Sequence, residues 1–214
     1  MKLDEAIKNR RSIRVYNDNP ITKEEILKLI EAANWAPTAC NRQSFKFIVI
    51  NNKKIFNKIL DKGAATFLKK IDTAILVLYD NQIDNLEYMD YIQSASASIQ
   101  NMLLKAYSMG IGACWICHLP TKSFLRKLLD IPFNYDPIAL ISLGHYDKDP
   151  RKMKRKKEAR EIVSYNSFDF DEEIPSRFNI KLRLKRIARK IYFKLPKKKL
   201  LKKIVLKFEK KFDN

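Results

Sequence analysis

Glycine is nearly missing from this chain: Gly63, Gly110, Gly112 and Gly144 are the only four in 214 residues. No six-residue window holds three of them, so the dinucleotide fingerprint G-x-G-x-x-G is absent, as is the phosphate loop G-x-x-x-x-G-K-[ST]. Any phosphate must therefore be held by side chains. Three cysteines, an odd number in a chain this long, make no disulfide framework. Long apolar runs are missing too. Ala74–Tyr79 and Phe47–Ile50 are far too short to span a bilayer. The opening Met1-Lys2-Leu3-Asp4-Glu5 is acidic where a secretory signal would be basic and then apolar, so the expected location is the cytoplasm.

The apolar fraction, 46%, is enough for the core of one globular domain with room for an appendage. Charge is distributed unevenly. From Pro175 to Asn214 there are 16 basic and 2 acidic residues, a net +14, which leaves +5 of the total +19 for residues 1–174. The pI of 9.8 thus belongs mostly to the tail. Two domains are expected, a folded one over residues 1–168 and a basic amphipathic tail over 169–214.

In the folded part, Arg10-Arg11-Ser12-Ile13-Arg14 places three guanidinium groups and a hydroxyl within five residues. Guanidinium is a fixed fork that matches phosphate oxygens bidentately, so this stretch is the first candidate for holding a phosphate-bearing ligand. Thr22-Lys23-Glu24-Glu25 reads as a capping box, and Ile26, Leu27, Leu29, Ile30 and Ala33 carry a helix to about Asn34. The polar loop Ala36–Gln43 leads to a strand over Phe45–Ile50, and its amides suit a heterocycle edge with mixed donors and acceptors. Helices are expected over 52–60, 64–70, about 86–109 and 121–129. A buried strand is expected over 73–79, and a turn-rich connector over 130–137.

These blocks together resemble the FMN-dependent nitroreductase family. The resemblance rests on Arg10–Tyr16, on Ala36–Gln43, on Gln100–Leu104 followed by Met109–Ile116, and on Ala139–Tyr146 followed by a basic loop and Glu161–Val163. It covers about residues 1–168. It implies an α+β, nitroreductase-like fold with a central, mostly antiparallel sheet flanked by helices. It also implies a homodimer that binds its flavin at the interface, to which this chain adds C-terminal basic amphipathic helices. Arg10, Arg11, Ser12 and Arg14 would meet the FMN phosphate, ribityl chain and ring edge, with Arg155 at the phosphate. Thr38, Asn41 and Gln43 would reach the flavin from the partner subunit. Lys69 would lie near the pyrimidine edge, and the backbone amides of Cys117 and His118 would face N5. No catalytic side chain is implied. Hydride passes from NAD(P)H through N5 to a small oxidised acceptor, such as a nitroaromatic or a quinone, with ping-pong kinetics. Ala39, Ser44-Phe45 and Ser94 depart from the common pattern of the family.

Two features compete with that reading. Cys114-Trp115-Ile116-Cys117-His118 is a literal C-x-x-C-H, the attachment signature of c-type haem. Its place in an apolar strand, where the two cysteines would point to opposite faces, argues against haem and against a metal site. In the tail, Ile180, Leu184, Ile187 and Ile191 are spaced at four, three and four. After Pro196, Leu201, Ile204, Val205, Phe208 and Phe212 form a second stripe among lysines. Over residues 176–212 this suits an anionic membrane surface at the inner face of the membrane, or packing on the protein itself. Nucleic acid does not explain an apolar stripe. The alternative to an enzyme is a flavin-binding or peripheral membrane module whose tail carries the function.

Overall fold

The computed structural model describes residues 1–82, 85, 87–148, 150, 153–170, 179–184 and 186–187. The chain divides into two compact units, Met1–Pro150 and Arg151–Asn214. The first holds helices α1 (Leu3–Asn9), α2 (Lys23–Asn34), α3 (Lys53–Asp61), α4 (Asp90–Ser108) and α5 (Lys122–Leu129). It also holds strands β1 (Phe45–Ile50), β2 (Thr73–Asp80), β3 (Gly112–Ile116) and β4 (Tyr135–Gly144). Within the second unit, a short 3-10 turn spans Ala159–Glu161, and residues 180–184 and 186–187 are helical. The basic tail beyond Ile187 lies outside the described residues.

The strands form one antiparallel sheet in the order β1-β2-β4-β3. Its alternation decides which side each residue packs on. Phe45, Ile75, Val77, Tyr79, Ala113, Ala139, Ile141 and Leu143 face a layer built by α2 and α4, where Leu29, Ala33, Ile99 and Met102 are buried. Ile50, Ala74, Leu76, Leu78, Cys114, Ile116 and Leu140 face the opposite layer, which holds Phe56 and Ile59 of α3, Leu68 and Leu125. With both faces covered, β2 is apolar along almost its whole length, which is why it reads as a continuous run.

Side-chain caps fix the helix starts. Thr22 and Glu25 form the expected capping box, Glu25 N donating to Thr22 Oγ1 (3.2 Å) and Thr22 N to Glu25 Oε2 (2.8 Å). Asn52 and Thr121 cap α3 and α5.

Three elements differ from the sequence pattern. The helix expected over 64–70 is a 3-10 turn, Thr66–Lys70, too short for an α-helical ladder. The helix expected from residue 86 starts at Asp90, because Met89 is left-handed (φ 52°), and Tyr88 stands exposed in the preceding turn. The connector expected over 130–137 gives way to strand at Tyr135. Pro137 is tolerated there because a bulge follows it: Val77 pairs with Ala139 and Leu78 with Pro137, leaving Ile138 as the extra residue.

Candidate functional site

Residues Ser12–Asn17 run beside the sheet as an extra extended segment. Ser12 makes a parallel bridge to Ala113, Ile13 N donates to Ala113 O (3.1 Å), and Asn17 N donates to His145 O (2.8 Å). This path needs the glycines at Gly112 and Gly144, which pair across β3 and β4. A Cβ on Gly144 would lie 2.5 Å from the Tyr16 ring, and one on Gly112 would lie 2.9 Å from Ile13 and from Tyr146. Two of the four glycines therefore serve close approach rather than phosphate binding.

Tyr16 pins the segment. Its hydroxyl donates to Ile13 O (2.7 Å) and shares a hydrogen bond with Ser142 Oγ (2.7 Å), and burial pushes its phenol well above the ordinary value. Ser142 itself is fully buried. On the same side, the Arg14 guanidinium lies over the Phe67 ring at 6.0 Å. Burial raises the pKa of the nearby Cys114 thiol, against the lowering influence of Arg14, Ser12 and Arg10. Arg11 turns differently: its Nη1 donates to Lys8 O (2.7 Å) and Arg10 O (2.8 Å), at the carboxyl end of α1. Arg10, Arg11, Ile13, Leu103, Tyr107 and Tyr146 line a small pocket.

The Phe67 turn is also tied to the exit of β3, because Ala65 N donates to His118 O (3.2 Å). Lys69 is exposed on that turn, and Cys117 is exposed one residue past the strand, while Cys114 is buried inside it. Five of the expected residues, Ser12, Arg14, Lys69, Cys117 and His118, thus belong to three segments that meet at the edge of β3. Segments 10–16, 64–70 and 112–119 contain no Asp or Glu. Guanidinium, ammonium, hydroxyl and backbone donors with no carboxylate among them fit a dianionic phosphate and a reduced, anionic ring.

Thr38, Asn41 and Gln43 are elsewhere. Their loop precedes β1, and three strand spacings, about 14 Å, separate β1 from β3. The loop is strained: Cys40, Asn41 and Gln43 have φ of 49°, 53° and 51°. Internal bonds hold it there. Gln43 N donates to Thr38 Oγ1 (3.1 Å), Gln43 Nε2 to Asn41 Oδ1 (2.7 Å), and Ala39 N to Ser94 Oγ on α4 (3.1 Å). Ser94, a departure from the common pattern, thus anchors the loop. Arg155, with Lys154 and Lys156, is exposed in the second unit.

Phe67, Tyr16 and Ser142 belong to no motif that gave them a role in the sequence. The available signal was glycine. In a chain this poor in it, Gly112 and Gly144 on facing strands mark where another segment crosses.

Comparison with known proteins places these features in a larger set. The sequence profile of the nitroreductase family matches residues 7–90 and 62–145. A chain from Archaeoglobus fulgidus, provisionally named NADH dehydrogenase/NAD(P)H nitroreductase, is 37% identical over 158 residues, covering 70% of this chain and 89% of its own. Among solved structures, an FMN-dependent nitroreductase from Clostridium difficile superposes with a TM-score of 0.67 at 27% identity, over 77% of this chain and 99% of that one. A provisionally identified nitroreductase from Desulfovibrio desulfuricans, solved in complex with FMN, superposes with a TM-score of 0.63 at 28% identity, over 78% of this chain and 98% of its own.

Proposed function

The chain belongs to the nitroreductase family, and from that premise we propose that it is an FMN-dependent oxidoreductase that uses NAD(P)H to reduce a small oxidised acceptor. The observation that carries this reading is the meeting of Ser12–Arg14, the Phe67–Lys69 turn and the Cys117–His118 exit of β3 on segments that supply cations and donors without a carboxylate. When bound, FMN supplies the redox chemistry, accepting hydride from NAD(P)H and passing it to a nitroaromatic, a quinone or a similar acceptor.

The chain's own residues bind and orient. Arg10, Arg14 and Ser12 would hold the phosphate and ribityl oxygens, with Arg11 supporting them from the end of α1; Arg155 is the further phosphate group that the family resemblance implies. Lys69 stabilises negative charge at the pyrimidine edge. The main-chain amides of Cys117 and His118 direct donors at the reacting nitrogen, so their side chains need not take part. Thr38, Asn41 and Gln43 complete the site from a second copy, because the sheet holds their loop at the opposite edge from the arginines. This requires a homodimer with two sites. The three free cysteines agree with work in the reducing cytoplasm.

The test is the visible spectrum of the purified chain, followed by NAD(P)H oxidation with a quinone or nitroaromatic acceptor. Two broad flavin bands, release of FMN on denaturation, and parallel double-reciprocal lines are expected. A colourless protein that refuses added FMN would overturn the proposal, and a flavin-loaded protein without turnover would leave a flavin carrier in its place.

A further inference from the structure

We propose that the segment beginning at Ile180 docks this protein on an anionic phospholipid bilayer. Residues 180–184 and 186–187 are helical, and Ile180, Leu184 and Ile187 are 69%, 59% and 53% exposed. Counted along the sequence at 100° per residue, these three fall within an arc of about 60°, an apolar pattern of helical spacing. Lys181, Arg183 and Arg186 are exposed outside that arc, and Leu182, the one apolar residue turned away from the stripe, is the least exposed of the four at 38%. The sequence continues the pattern with Ile191, and after Pro196 it repeats it with Leu201, Ile204, Val205, Phe208 and Phe212 among lysines.

Charge complementarity selects the occupant. Sixteen basic against two acidic residues from Pro175 onward need an extended anionic partner, and an apolar stripe needs somewhere dry to lie. The interface of an anionic bilayer meets both demands, headgroups taking the cations and the acyl boundary taking the stripe. A nucleic acid meets only the first and would leave the isoleucines and leucine in water. Among the described residues no helix is long and apolar enough to cross a membrane. The family profile ends at residue 145, and the two superposed nitroreductases leave 22–23% of this chain unmatched. The proposal stands independently of the flavin reading.

The test uses the full chain and sedimentation with vesicles of phosphatidylcholine, with and without phosphatidylglycerol. Binding to the anionic vesicles should be at least about tenfold tighter than to neutral ones and should weaken with salt. Full-length Ile180→Ser/Leu184→Ser/Ile187→Ser and Lys181→Gln/Arg183→Gln/Arg186→Gln should each lose about tenfold in vesicle affinity, with an unchanged far-ultraviolet spectrum and flavin content. The idea fails if the serine variant binds as tightly as the parent. It fails equally if duplex DNA strips the parent from vesicles and binds the serine variant undiminished, because the cations would then serve nucleic acid. A fall in native mass without any fall in vesicle binding would assign the stripe to a second copy and overturn the proposal as well.

Discussion

Lys122 and Arg126 close on the buried carboxylate of Asp136, whereas Arg10 and Arg14 lie on a segment that brings no carboxylate with it. Both clusters look alike in composition. In the first, the anion is part of the chain. Asn81 Nδ2 also donates to Asp136 Oδ1 (3.0 Å), and the Lys122 ammonium lies over the Tyr91 ring at 5.8 Å. Burial alone would raise the Asp136 carboxyl. Donation from Lys122 and Asn81, with the charges of Lys122 and Arg126, outweighs it and holds the group below the ordinary carboxylate value. In the second cluster, Arg10, Ser12 and Arg14 stand on a segment without Asp or Glu, and the proposed function gives them the anion of a bound cofactor. If the second cluster serves a ligand as proposed, the two clusters should fail in different ways when altered.

The largest effect is expected at Asp136. Asp136→Ala removes the common partner of two cations and should cost about 3 kcal/mol, the low end for a broken buried pair because Lys122 keeps much of its water. Chemical denaturation would measure it, with flavin content of the remaining folded protein unchanged. Because the folded carboxyl titrates low, its stabilisation is complete above the unfolded value of about 4 and is lost as pH falls through the folded one. The gap between parent and Asp136→Asn should therefore narrow in acid. A gap that widened below pH 4 would remove Asp136 from the folding side of the comparison.

Arg14→Ala should do the opposite. Loss of a charge-assisted contact of about 2 kcal/mol should raise the FMN dissociation constant about 30-fold, read by flavin fluorescence quenching. Stability without FMN should change less than it does in Asp136→Ala, in which a buried ion pair is broken. Loss of stability comparable to Asp136→Ala would collapse the distinction.

Gly144→Ala should break the comparison deliberately. A methyl group 2.5 Å from the Tyr16 ring must displace the segment that carries Ser12 and Arg14. Overpacking of about 2 kcal/mol and weaker FMN binding should then appear together, in thermal melts and in flavin titration. The smallest change is Tyr16→Phe, which removes the hydroxyl between Ile13 O and Ser142 Oγ. About 1 kcal/mol of stability is expected to go, with an FMN effect of only a few-fold because the ring still rests on Gly144. An FMN loss as large as that of Arg14→Ala would make Tyr16 a ligand group rather than a positioning one.

Much of the fold was legible one element at a time. The capping box at Thr22, the apolar runs of β1 and β2 and the stop after Asn34 are local signals, and they appear where the sequence places them. The misreadings share a cause. Pro137 argues for a connector until a bulge makes room for it in β4, and residues 64–70 carry helical composition but complete only a 3-10 turn. The site was legible as a set of residue types, because arginines, serine and amides cluster in sequence for reasons that do not depend on the rest of the chain.

The sequence by itself determined which residues the chemistry has available, where most of the helices and strands lie and the strongly basic character of the carboxy-terminal segment. Composition and periods of two and 3.6 are written in neighbouring residues. Only the tertiary structure decided that Arg14 rests over Phe67, that Arg11 turns back to the end of α1, and that the Thr38–Gln43 loop stands across the sheet from the arginines. Those outcomes follow from strand order, register and the close passage over Gly112 and Gly144. Such contacts join residues up to about 130 positions apart, and no local period encodes them.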